Sequence, residues 1–262
     1  MIVEVNGIKL HYTVEGSAGA PWVTFVTGMA NDTTLWDGQA AVLAGEFQIL
    51  RFDLPGHGGS DAPGGDYRFA DLVSNVVALW DALGIEKSSL AGLGLGGSIA
   101  LAVGIRHGER LIKLVACCCR AEMTEKFAAI WPGMIETVKK LGMEGMVEPT
   151  VERWFTEDFR ANNPEMMDKV RKMIRRTNPL GYYGCIAAFL TIDFLHQISE
   201  IKTPTLFVSG AEDHLGGPPE LMRGLADRVP GSRHVSIPDA AHICNLQNET
   251  EYNRVLLEFL RG

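Results

Sequence analysis

Apolar and polar positions change period several times along the chain, and each change marks an element. Residues 2–15 alternate around Asn6-Gly7, a pair that favours the positive φ angles of a two-residue hairpin turn. Short apolar runs at 23–26 and 49–52 stop at Gly or Asp, as buried strands do. Leu72, Val76, Val77, Leu79, Trp80 and Leu83 follow the spacing of one helical face. Residues 88–91 then read as a strand, 92–97 as a tight turn, 98–106 as a helix and 111–117 as another buried strand. Beyond Arg120 the strand signal stops until about residue 200. In that stretch Met166, Val170, Met173 and Ile174 share a helical face, which opens with Asn163-Pro164-Glu165 and closes with Arg175 and Arg176. After Pro204 the alternation resumes with a strand at 205–209, a helix at 219–228 and a strand at 234–237. A final helix carries Tyr252, Val255, Leu256, Phe259 and Leu260.

Strands alternating with helices predict an α/β fold, a mostly parallel central sheet covered by helices on both faces. The organisation expected is a core made of residues 1–120 and 201–262, with a helical cap, 121–200, inserted between them. In open α/β sheets the ligand site lies beyond the carboxyl ends of the strands, so an insertion after a strand would roof that site.

Composition narrows the function classes. With 262 residues the chain can bury roughly 70–75% of its unfolded surface, so it needs no disulfide or metal staple. A net charge of −8 argues against nucleic acid as a partner. Of the five cysteines three are consecutive, Cys117, Cys118 and Cys119, which suits a reducing, cytoplasmic setting better than a disulfide framework. No signal peptide is read at the start, and no apolar run is long enough for a membrane span. No linear spacing of His, Cys or carboxylates suits a metal, and no organic cofactor is required.

The most informative stretch is Leu90-Ala-Gly92-Leu93-Gly94-Leu95-Gly96-Gly97-Ser98, a strand, a glycine-crowded turn and a helix. It fits two motifs. One is the strand–turn–helix elbow that lifts a nucleophile above a sheet. The other is the dinucleotide fingerprint, since Gly92, Gly94 and Gly97 satisfy G-x-G-x-x-G, with Arg120 beyond the next strand as a partner for a 2′-phosphate. A plain tight strand-to-helix turn also accounts for the glycines.

Four further segments favour the elbow: Thr27-Gly28-Met29-Ala30, Gly56-His57-Gly58-Gly59-Ser60-Asp61, Gly210-Ala211-Glu212-Asp213-His214 and Asp239-Ala240-Ala241-His242. In this order they resemble the α/β-hydrolase family over essentially the whole chain. The nearest likeness is to 3-oxoadipate enol-lactonases, through residues 151–160 and 181–188 as well. The resemblance implies Asp213 as the acid, His242 as the base, the backbone N–H groups of Met29 and Leu95 as oxyanion donors, and a small ester or lactone as substrate. It also implies a nucleophile at the centre of the elbow, and there the chain departs from the pattern, because that residue is Gly94.

Glycine has no side chain, so no acyl-enzyme can form at 94. Three readings follow: a serine-hydrolase site with the nucleophile replaced, a non-serine enzyme in which His242 and Asp213 activate water or move a proton, and a ligand-binding pseudo-hydrolase. Ser98 is read as a packed helix residue rather than a substitute nucleophile, and Cys118 and Cys119 as small buried hydrophobes near the site. Glu212 is a rival for the acid, Asp239 is expected to close a turn, and His57 to sit in a turn or shape the pocket. Gly28, Arg120, Trp131, Trp154 and Tyr183, with Tyr182 and Phe189, are the expected pocket residues. Arg120 or a cap arginine could hold a substrate carboxylate. The basic run Lys169, Arg171, Lys172, Arg175 and Arg176 is expected to be a solvated face.

Overall fold

A computed structural model describes residues 1–262. Eight strands form one sheet in the order β1-β2-β4-β3-β5-β6-β7-β8. The hairpin β1 (Ile2–Val5) and β2 (Ile8–Gly16) turns at Asn6 and Gly7, both at positive φ as its turn type requires. β2 runs antiparallel to β4 (Gln48–Phe52), and every later pairing is parallel: β3 (Trp22–Val26) with β4 and with β5 (Ser88–Leu93), then β6 (Leu111–Cys117), β7 (Thr205–Gly210) and β8 (Arg233–Ile237). Every residue of β5 and β7 is buried, because helices cover both faces of a parallel sheet and leave no polar side.

The core helices are α1 (Asp37–Leu43), α2 (Phe69–Ala82), α3 (Leu95–Arg106), α10 (Pro219–Ala226), α11 (Cys244–Gln247) and α12 (Glu249–Arg261). Between β6 and β7 lie six helices: α4 (Glu125–Ala128), α5 (Trp131–Leu141), α6 (Glu144–Trp154), α7 (Glu157–Asn162), α8 (Pro164–Arg175) and α9 (Pro179–Leu190). No helix of the structure is long and apolar enough to cross a membrane.

Two local readings need correction. The expected turn 92–97 is a single residue, since β5 runs to Leu93 and α3 starts at Leu95. The other glycines are there for close approach: a Cβ on Gly92 would lie 2.2 Å from the Gly96 carbonyl oxygen, and one on Gly96 would lie 2.5 Å from those of Val26 and Thr27. The basic face of α8 is not merely solvated. Arg171 pairs with Glu148 and Arg175 with Glu144, both on α6, while Lys169 reaches Asp37 and Arg176 reaches Asp32 on the core. Such exposed pairs are individually worth about 0–1 kcal/mol, and here they orient the roof over the sheet.

Candidate active site

Parallel strands end on one edge, so the loops after β3, β5, β6, β7 and β8 converge there. Gly94, between β5 and α3, has φ 59° and ψ −120°, a conformation costly for any residue with a Cβ. Its N–H donates to the Cys117 carbonyl at 2.9 Å and its carbonyl accepts from Ser98 N–H at 3.1 Å, which fixes the bend from both sides. A Cβ built on Gly94 would meet only the His242 ring, with Nε2 at 3.5 Å and Cε1 at 3.9 Å.

His242 follows β8, and its Nδ1 lies 2.8 Å from Asp213 Oδ2. Asp213, after β7, is 2% exposed and accepts three backbone N–H bonds, from Leu215 at 3.0 Å, Gly216 at 2.8 Å and Gly217 at 2.8 Å. Burial by itself would raise its carboxyl, but the His242 charge and hydrogen bond and these amides hold it well below the usual carboxylate range. It is a fixed anion that leaves Nε2 as the free end of the imidazole, facing the bend. The rival acid Glu212 is exposed, and Asp239 stands at φ 52° in a turn that Gln247 closes through the Asp239 carbonyl.

Met29 and Leu95 line the same cavity, and neither N–H has a partner among the turn, loop and cap hydrogen bonds. The cavity is lined mainly by hydrophobic side chains with a few polar groups among them, as small-ligand sites are. Its floor is Gly28, Met29, Gly94, Leu95, Cys118 and His242, and its roof includes Trp131, Trp154, Tyr182 and Phe189 from α5, α6 and α9. Phe127, Trp131 and Phe189 meet edge to face and form an apolar wall.

Two expected pocket residues, Tyr183 and Arg120, are corrected. Tyr183 does not line the cavity but packs part-buried against the core, because one residue along α9 turns the ring to another face. Arg120 is also outside it: its guanidinium donates to the Leu215 carbonyl at 2.6 Å and lies 3.8 Å from the Phe127 ring centroid, supporting the wall from behind. The Ser98 hydroxyl is committed to the Arg120 carbonyl at 2.7 Å. His57 is fully buried in its turn with Nδ1 on the Pro55 carbonyl, and burial pushes its pKa down to about 4. Burial likewise pushes the Cys118 thiol far up, which leaves it unfit as a nucleophile. The His242 ring stands beside the bend, in ordinary contact with a Cβ built on Gly94.

Arg153 was missed. It stands in the roof on the same face of α6 as Thr150 and Trp154, with no carboxylate within reach. Its NH1 faces the Met134 sulfur at 3.6 Å and its NH2 the Thr150 hydroxyl at 3.4 Å, both weak partners for a cation. Burial lowers its pKa, opposed only by Tyr182. The available signal was an arginine at the edge of the stripe Met146, Val147, Thr150, Val151, Trp154. The fold also brings Cys244 to within 3.9 Å of Cys117 and Cys118, a proximity that linear spacing cannot reveal.

The chain is similar to known proteins along its length. Residues 21–249 match the family model described as the alpha/beta hydrolase fold. A 3-oxoadipate enol-lactonase of Acinetobacter baylyi is 26% identical over 95% of this chain and 92% of its own length. The enol-lactonase from Burkholderia xenovorans LB400 superposes with a TM-score of 0.96 at 30% identity, covering all of both chains. A thermophilic esterase from Thermogutta terrifontis, solved with malate bound, gives 0.92 at 28% identity over all of this chain and 98% of its own. The matched family model spans most of the sequence, and the chain belongs to the alpha/beta hydrolase fold family.

Proposed function

We propose that this chain is a small-molecule ester or lactone hydrolase of the enol-lactonase type in which the position of the covalent nucleophile is held by Gly94. One observation carries the reading: buried Asp213 holds part-buried His242 at 2.8 Å, and His242 Nε2 is the atom nearest to a Cβ built on Gly94. The N–H groups of Met29 and Leu95 are suited to hold a developing oxyanion, a role worth about 2.7–4 kcal/mol per donor in a dry site. With no hydroxyl at 94, acyl transfer through the protein is closed. The space above the bend suits a water molecule, and His242 takes its proton as general base while Asp213 stabilises the imidazolium. Water then adds to the carbonyl, the oxyanion is held by the two amides, and the proton on His242 passes to the leaving alcohol. This direct route is slow by the standard of a complete triad.

Arg153 gives the substrate its chemistry. An unpaired, part-buried guanidinium in the roof calls for an anion, so the ester or lactone carries a carboxylate on the side away from the scissile bond. The malate recorded in the related esterase is consistent with a carboxylate-bearing ligand. The core at 1–120 and 201–262 supplies the chemistry in this reading, and the cap at 121–200 supplies the specificity.

Lactone hydrolysis by the purified chain, compared with His242→Ala, tests the direct route. Slow turnover abolished by the substitution supports it. Equal background rates in both proteins reduce the chain to a binding protein. A reaction that moves a proton on the substrate without adding water would show instead as product of unchanged mass.

A further inference from the structure

Beneath the cavity floor lies a feature the hydrolytic reading does not use. None of the five cysteines is in a disulfide. Cys117 ends β6, Cys118 follows it, and Cys244 opens α11 two residues after His242. Their sulfurs form a closed triangle with edges of 3.8 Å for Cys117–Cys118, 3.5 Å for Cys117–Cys244 and 3.9 Å for Cys118–Cys244. A tetrahedral thiolate site with metal–sulfur bonds of about 2.3 Å sets neighbouring sulfurs about 3.8 Å apart, and a trigonal one about 4.0 Å. The triangle is therefore within a few tenths of an ångström of a coordination face before any ion arrives.

A second observation points the same way. The Tyr252 hydroxyl, from α12, is buried against these three thiols and has no partner but the Cys117 sulfur, at a geometry too poor for a good hydrogen bond. Buried hydroxyls are nearly always partnered. Thiols are weak acceptors, whereas a metal-bound thiolate accepts well, so ion binding would strengthen the contact that Tyr252 makes. Packing of cysteine as a small hydrophobe explains the burial but not a hydroxyl left with so weak a partner. Cys118 also lines the cavity, so the triangle lies directly beneath its floor.

We propose that Cys117, Cys118 and Cys244 form a buried site for one thiophilic divalent cation of the zinc group. Coordination deprotonates all three thiols. In that step three S–H bonds break, three metal–sulfur bonds form, and three protons leave for the buffer, which leaves one net negative charge beside the Tyr252 hydroxyl as donor. The bound ion clamps the end of β6 to the segment that carries His242.

Cadmium titration of the reduced, full-length chain tests this independently of any ester turnover. The expected result is a thiolate-to-cadmium charge-transfer band saturating at one ion per chain, with three protons released. The band persists in Cys185→Ala, and affinity falls at least tenfold in Cys117→Ala and in Cys244→Ala. A cadmium NMR shift diagnostic of sulfur ligands in the unsubstituted protein gives the same answer without relying on variants. No band, a shift typical of oxygen and nitrogen ligands, or unchanged affinity in Cys244→Ala overturns the proposal.

Discussion

Gly94→Ser perturbs the site at one atom position and has a calculable outcome. The added Cβ would sit 3.5 Å from His242 Nε2, an ordinary contact, so no neighbour must move. From that Cβ, a C–O bond of about 1.4 Å can place Oγ about 2.7 Å from Nε2 at a near-tetrahedral angle, hydrogen-bond geometry without adjustment. The cost is conformational. A side chain at φ 59° is worth roughly 1–3 kcal/mol of strain, offset by about 0.4–1 kcal/mol from a less flexible unfolded chain. Net destabilisation of about 1–2 kcal/mol lowers Tm by roughly 2–8 °C. The gain is catalytic: completing a triad recovers a large part of the roughly 10⁶-fold that loss of the serine costs. A rise of at least about 10³-fold in p-nitrophenyl ester turnover corresponds to about 4 kcal/mol of transition-state stabilisation, well above the strain. Gly94→Ala carries the same strain without the hydroxyl and should show the Tm loss and no gain. Stopped-flow kinetics should reveal an acyl-enzyme burst in the serine variant, and a phosphonate probe should label it once per chain. A folded Gly94→Ser protein with neither burst nor rate gain refutes the reading of this bend as an elbow.

Three further outcomes follow from the same geometry. Asp213→Asn places an amide NH₂ among three backbone N–H donors, so stability should fall by about 2–4 kcal/mol in urea unfolding, and serine-variant turnover should drop about 10³–10⁴-fold. If Asp213→Asn unfolds like the unsubstituted chain, the carboxylate is not the anchor described. Arg153→Met should weaken calorimetric binding of a dicarboxylate about 10–100-fold while leaving neutral esters unaffected, and should raise the unliganded Tm by removing an unpaired cation. Equal loss for both ligand classes counts against a carboxylate subsite. His57 is neutral in the fold, with its pKa pushed down to about 4 from the usual 6.5, so the unfolded chain takes up a proton first as pH falls. Its contribution is intact above pH 6.5 and is lost progressively toward about pH 4, amounting to roughly 3 kcal/mol. Urea titrations across that window should show a flatter profile for His57→Gln; an identical slope excludes this histidine as the source.

Much of the core was legible because local and tertiary signals agree there. β3 and β4 are short apolar runs that a parallel sheet buries on both sides, and Asn6-Gly7 dictates its own turn. Asp213 and His242 could be placed because each lies just past a strand end, where the topology gathers loops on one edge. The turn after β5 was drawn too long because glycine reads as a breaker, whereas Gly92 and Gly96 stay regular and are small only to let α3 approach the sheet. The cap was less legible because its residues answer to partners far away in sequence. Tyr182 and Tyr183 are adjacent and alike, yet only Tyr182 meets the cavity, and helix phase decides between them. Arg120 and Arg153 differ in the same way: a carbonyl and an aromatic ring engage the first, while nothing of opposite charge engages the second. The Cys244 contact with Cys117 and Cys118 spans the whole chain length between β6 and α11, beyond any local pattern.

The central claim is that His242 Nε2, the Met29 and Leu95 amides and the Gly94 bend converge on one carbonyl carbon. A crystal structure of the chain soaked with the product acid of a carboxylate-bearing lactone tests it most directly. The account predicts one oxygen of the new carboxylate within hydrogen-bond reach of both amides, the other facing Nε2 above Gly94, and the distal carboxylate on Arg153. Ligand density seated elsewhere, or a carboxylate turned away from those amides, would contradict it.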